Sequence, residues 1–147
     1  MNRFSLLIFS LFLIGTASAQ PSRPEWLRLD AAFVWSAEKG IPTLVYVQAA
    51  WCGPCRRMER TTFADPAIAA RLNGFALARL SIDAYDDFVA VGDYRLSEAG
   101  WATRLGADAT PTLILLSPDG AIVGRQTGFL PADGLAPILD AALLDRP

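Results

Sequence analysis

Residues Ile41–Cys55 read IPTLVYVQAAWCGPC. Ile41–Gln48 is an apolar, β-rich run and predicts a strand buried on both faces. Ala49-Ala50-Trp51 lead from it into Cys52-Gly53-Pro54-Cys55, and the following RRMERTTF, Arg56–Phe63, reads as helix. Two cysteines therefore stand where a strand hands over to a helix, and they are the only two in the chain. Joined, they close a loop to which the chain-entropy model assigns about 2 kcal/mol, against about 4.7 kcal/mol for a 100-residue loop. A bridge this short stabilises little, but it can be made and broken without moving the fold. The other structural use of such a pair, half of a zinc site, needs two further Cys or His ligands, and the chain has none. The spacing points to redox chemistry.

Working outward, Asp30 predicts a helix cap, with helix over Ala31–Lys39, Gly40 just past its end, and Phe33, Val34 and Ala37 as the buried stripe. Downstream, Asp65-Pro66 is a cap followed by a first-turn proline and predicts a short helix to about Leu72, ended by Asn73-Gly74. Phe75–Ile82 alternates as a second strand. Asp83–Arg95 (DAYDDFVAVGDYR) is acidic and aperiodic and reads as a loop. Ser97 predicts the cap of a helix to about Leu105, with Gly106 after it. Thr112–Leu116 and Ala121–Thr127 read as two strands joined by the turn Ser117-Pro118-Asp119-Gly120. A final amphipathic helix is expected from Pro131 or Ala132 to about Leu144, with Leu135, Ile138, Leu139 and Leu143 on one face. The order predicts an α/β fold with a mixed sheet.

The ends and the composition bound the rest. Met1-Asn2-Arg3 is a short basic start, Phe4–Ile14 an apolar run, and Ala17-Ser18-Ala19 an A-x-A pattern. A spanning helix needs roughly 20 apolar residues, so residues 1–19 read as a secretory signal peptide cut between Ala19 and Gln20. Residues 20–147 are then one domain. A chain of 147 residues that is 52% hydrophobic and 19% charged is globular, and its formal charge of -2 gives no reason to expect nucleic acid as a partner. The absence of His removes Ser-His-Asp triads, Cys-His dyads and His-ligated metal sites. An exported protein meets an oxidising compartment, where such a cysteine pair can cycle.

WCGPC at Trp51–Cys55, after a buried strand and opening a helix, resembles the active-site turn of the thioredoxin family. Thr110-Pro111-Thr112 before a strand is similar to that family's cis-proline segment, and Ser117–Gly120 with Gly128 falls where it has a hairpin and a following glycine. The likeness runs from about Asp30 to Leu144. The stretch WCGPCRRMERTTFADPAIAARL resembles more closely the periplasmic C-terminal domain of the transmembrane electron conductor DsbD and its soluble exported relatives. The resemblance implies a thioredoxin fold, with a central mixed sheet flanked by helices on both faces. It also implies a periplasmic or secreted protein-disulfide reductase that needs no cofactor or metal beyond its dithiol. The implied partners are exported proteins with disulfides and a membrane electron donor of the DsbD type, and a monomer is expected.

The site residues follow. Cys52, at the helix start, is the expected nucleophile and the more exposed thiol. Cys55, one turn inside, is the resolving thiol. Gly53-Pro54 is the dipeptide thioredoxins carry, which favours a reductant. Trp51, Gly53, Pro54, Thr110 and Pro111 form the implied substrate surface, with Pro111 cis and the Thr110 backbone beside the substrate. One departure stands out. The family usually carries a buried Asp six residues before its first active-site Cys, and here that residue is Tyr46. Glu59, four residues after Cys55, is the candidate replacement as proton acceptor; the alternative is a surface carboxylate paired with Arg56 or Arg60. Two other functions use the same thiols: disulfide oxidase or isomerase, and Cu(I) binding.

Overall fold

The computed structural model describes residues 24–144; the expected signal segment lies outside them. The elements in chain order are α1 (Leu29–Lys39), β1 (Thr43–Gln48), α2 (Gly53–Thr61), α3 (Pro66–Leu72), β2 (Ala76–Ser81), β3 (Phe88–Val91), β4 (Tyr94–Ser97), α4 (Glu98–Arg104), β5 (Thr112–Leu116), β6 (Ile122–Thr127) and α5 (Ala132–Leu144). The main sheet has the order β2-β1-β5-β6. β1 runs parallel to β2 and antiparallel to β5, and β5 pairs antiparallel with β6. This is the mixed α/β sheet that the sequence predicts.

Alternation along the central strands divides the core in two. Leu44, Tyr46, Leu113 and Leu115 face α2, α3 and α5, where they meet Met58, Ile68, Leu72, Leu135 and Leu139. Val45, Val47, Ile114 and Leu116 face the other way, against Leu29 and Ala32 of α1 and Trp101 and Ala102 of α4. β1 is buried on both faces because it has a strand on each side and helices above and below. α3 is capped as expected, with Asp65 Oδ1 accepting from the N–H groups of Ala67 and Ile68. Arg71 and Asp140 form a two-bond ion pair that ties α3 to α5.

Two local expectations are corrected. The expected loop Asp83–Arg95 contains most of an antiparallel hairpin, β3 with β4, turning at Gly92-Asp93, where Gly92 has φ 56°. Only Val89 of β3 is buried, so the alternation there is weak. The Trp101 indole N–H donates to the Val89 carbonyl at 2.9 Å and helps hold the hairpin against α4. On α1 the buried residues are Leu29, Ala32 and Ser36, while Val34 and Ala37 are exposed and Phe33 is half-buried. The helix starts at Leu29 with Arg28 as its cap residue, earlier than the Asp30 cap predicts.

The register fixes which loops meet. Gln48 lies opposite Ser81 and Val47 opposite Thr112. Ala49–Cys52 after β1, Ile82–Asp87 after β2 and Ala107–Pro111 before β5 therefore share one end of the sheet.

Candidate active site

Cys52 and Cys55 are joined in a disulfide with S–S 2.05 Å and Cα–Cα 5.2 Å. Cys52 is the N-cap residue of α2, with extended backbone at φ -75° and ψ 104°, and Pro54 lies in the first helical turn. Its N–H donates to Ala49 O at 3.1 Å, which fixes the turn out of β1. The Cys55 N–H donates to Cys52 Sγ at 3.1 Å. One of the helix's otherwise unpaired N–H groups is thus aimed at the first sulfur. Both cysteines are buried in this oxidised form, Cys52 at 2% and Cys55 at 1% exposure. The expected contrast in exposure is absent; the N-cap position, rather than accessibility, distinguishes Cys52.

Trp51 projects to the surface at 67% exposure, and Gly53 and Pro54 are also exposed. The Thr110–Pro111 peptide is cis, as the resemblance implies. The Gly128 N–H donates to Pro111 O at 2.8 Å, joining the end of β6 to this segment. The Thr110 hydroxyl is buried with no hydrogen-bond partner.

Beneath the disulfide, the register sets Tyr46 beside Arg79 on the face that packs against α2. Tyr46 is fully buried, and its hydroxyl donates to Cys55 O at 3.3 Å. Its ring packs against Trp26 and Phe63, with centroids 5.4 and 5.1 Å away. Burial, with the Glu59 carboxylate close by, raises the Tyr46 phenol well above its usual range, against the opposing pull of Arg79. Glu59 pairs with Arg79, Oε1 to Nη2 at 3.5 Å, and not with Arg56 or Arg60. An open pocket of about 590 Å³ lined by Trp26, Glu59, Arg60, Phe63 and Arg79 reaches this pair from solvent. Glu59 therefore lies close to the Tyr46 hydroxyl, which bonds the Cys55 backbone carbonyl, and is open to water on its other side.

Three residues that the sequence does not single out take part. Arg79 anchors Glu59, Trp26 covers Tyr46 and Arg79, and Phe129 stacks under the Arg57 guanidinium at 4.4 Å. Only Phe129 carries a local signal, since it follows Gly128. Among the described residues no group of three or more Cys, Asp and Glu side chains is placed to hold a metal ion.

A family profile described as a thioredoxin-like domain matches residues 29–143. Thiol:disulfide interchange protein DsbD 1 of Pseudomonas aeruginosa is 30% identical over 125 residues, a match covering 79% of this chain and 20% of that protein. A thioredoxin of Staphylococcus aureus is 30% identical over 115 residues, covering 78% of this chain and 93% of that protein. The reduced C-terminal domain of Neisseria meningitidis DsbD superposes with a TM-score of 0.60 at 17% identity, covering 78% of this chain and 93% of that domain, which shows a shared fold. The chain spans about a fifth of the length of the DsbD relatives it matches.

Proposed function

The chain belongs to the thioredoxin-like family, with a C-x-x-C pair as in its disulfide oxidoreductases, and from that premise we propose that it is an exported thiol:disulfide reductase. Residues 20–147 act as one domain after removal of residues 1–19, in the periplasm or outside the cell. In the reduced protein the Cys52 thiolate attacks a substrate disulfide. The substrate S–S bond breaks, one substrate sulfur leaves as a thiolate that takes a proton, and Cys52 is left in a mixed disulfide. Cys55 gives its proton to Glu59 and attacks Cys52 Sγ. The second substrate sulfur leaves as a thiolate and takes a proton, Glu59 gives up the one it accepted, and the protein holds the Cys52–Cys55 disulfide. Two electrons have passed to the substrate, and a membrane donor of the DsbD type returns them.

The observation that carries this reading is the Cys55 N–H aimed at Cys52 Sγ at the start of α2. A thiolate there gains a hydrogen bond and the favourable end of the helix dipole. Tyr46 cannot serve as the base, because its raised phenol stays protonated at any physiological pH. Glu59, one helical turn beyond Cys55 on α2, lines a pocket open to solvent. Trp51, Gly53, Pro54 and the Thr110-Pro111 segment supply the surface for the substrate polypeptide.

Trapping tests it. Cys55→Ala leaves Cys52 able to attack but not to be displaced. Exported proteins should accumulate as mixed disulfides on Cys52, and a Cys52→Ala,Cys55→Ala variant should capture none. Equal capture by both variants would remove the reading. In the reduced wild-type protein iodoacetamide should label Cys52 first, and preferential labelling of Cys55 would reverse the two roles.

A further inference from the structure

Helix α2 carries Arg56, Arg57, Glu59 and Arg60, and the fold sorts them by sign. Glu59 turns to Arg79 on β2. The three arginines are exposed, and none of them makes an ion pair among the described residues. Two are held in place beside the disulfide. Arg56 Nη1 donates to Ala50 O at 2.9 Å, on the loop that leads into Cys52. The Arg57 guanidinium lies 4.4 Å from the Phe129 ring centre, next to the Gly128 that bonds Pro111. They leave the helix about 100° apart and end on two different loops at the reactive end of the sheet. A guanidinium stacked on a ring, or bonded once to a carbonyl, keeps most of its five donors free for a carboxylate. A chain whose formal charge is -2 thus presents two anchored cations beside its disulfide.

We propose that Arg56 and Arg57 set substrate preference, so that the favoured partner is a polypeptide with Asp or Glu within a few residues of the reacting cysteine. This names a substrate class for the reductase reading and rests on it. A polypeptide fits better than an anionic membrane surface, because exposed Trp51 and the Thr110-Pro111 segment accompany the same cations.

The test uses three synthetic disulfide peptides that differ only in the residues flanking the cysteine: Glu, Gln or Lys. The wild-type protein, reduced before use, should act on them in the order Glu, Gln, Lys. The kcat/KM ratio between the extremes should be about tenfold at low salt, the size expected of a few screened charge pairs. It should fall below about twofold near 0.5 M NaCl. Arg56→Gln,Arg57→Gln should lose the preference without salt, and if that variant fails to fold, the salt dependence of the wild-type protein alone decides. Equal rates on all three peptides at low salt would overturn the preference and leave the reductase reading standing. No reduction of any peptide would remove both. Rates blind to flanking charge, together with binding to phosphatidylglycerol vesicles, would assign the arginines to a membrane surface and overturn the preference as well.

Discussion

Glu59 lies one helical turn beyond Cys55, but what holds it comes from another strand. Arg79 pairs with its carboxylate, and the Tyr46 hydroxyl stands between it and the Cys55 carbonyl. If Glu59 accepts the Cys55 proton, Glu59→Gln should slow release of reduced substrate by about tenfold to a hundredfold, the low end of general acid-base help in a site that water reaches. Attack by Cys52 should be nearly unchanged, and stability should move by roughly 0–1 kcal/mol, because the pair with Arg79 is partly exposed. Single-turnover reduction followed against pH separates the two steps; superimposable profiles for the two proteins would leave Glu59 a surface residue. Tyr46 makes a separate prediction. Its phenol ionises near 10 in the unfolded chain and higher in the folded protein. The fold therefore holds that proton more tightly, and the associated stability is intact below about pH 10 and is lost as pH rises towards the folded value. Urea unfolding of the oxidised protein should weaken above about pH 10, and Tyr46→Phe should flatten that alkaline limb. An unchanged limb would mean that other groups cause it. The Cys pair and the placement of Glu59 one turn beyond it were legible because a turn and a helix fix their spacing. The partnership with Arg79 was not, because it depends on which strand pairs with β1 and in what register.

β3 and β4 show the same limit in an element. FVAV and YRLS flank Gly92-Asp93, a two-residue turn signal, but eight of the thirteen residues in Asp83–Arg95 are Asp, Arg, Gly or Ala, and the strands bury little of their own surface. What holds the hairpin is supplied from elsewhere, chiefly the Trp101 bond to Val89 O and the burial of Val89. Trp101→Phe should remove one donor from that carbonyl, leaving the ladder bond with Leu96, and cost about 0.5–1.5 kcal/mol. Hydrogen exchange should quicken first in Phe88–Ser97, while β1 and β5 keep their protection; uniform loss across the sheet would mean that the hairpin is not a separately held unit. α1 failed in another way. The apolar residues Phe33, Val34 and Ala37 fit a helical stripe, but the helix is turned so that Leu29, Ala32 and Ser36 face the sheet. Small residues at Ala32 and Ser36 allow close approach to β2, and a stripe drawn from large apolar residues misses them.

For the molecule as a whole, the strongest signals were those that repeat across levels. The apolar run of β1 is buried on both faces, the turn at Ser117–Gly120 joins two antiparallel strands, and the cysteine pair opens a helix at the end of β1. Each of these is a local pattern with one structural solution. The direction of electron flow is different, because reduction and oxidation use the same turn and the same two sulfurs. The likeness to thioredoxins argues for reduction: Gly53-Pro54 is the dipeptide they carry between their cysteines, and this chain has no His in the place where the family's strong oxidants carry one. The decisive measurement is the reduction potential of the Cys52–Cys55 couple, read by equilibrating the protein in glutathione buffers and quantifying the dithiol by alkylation. A reductase should sit near the thioredoxin value of about -270 mV, far from the strong oxidants near -120 mV. A potential above about -180 mV, the value of protein disulfide isomerase, would contradict the reductase assignment and make the protein an oxidase or isomerase.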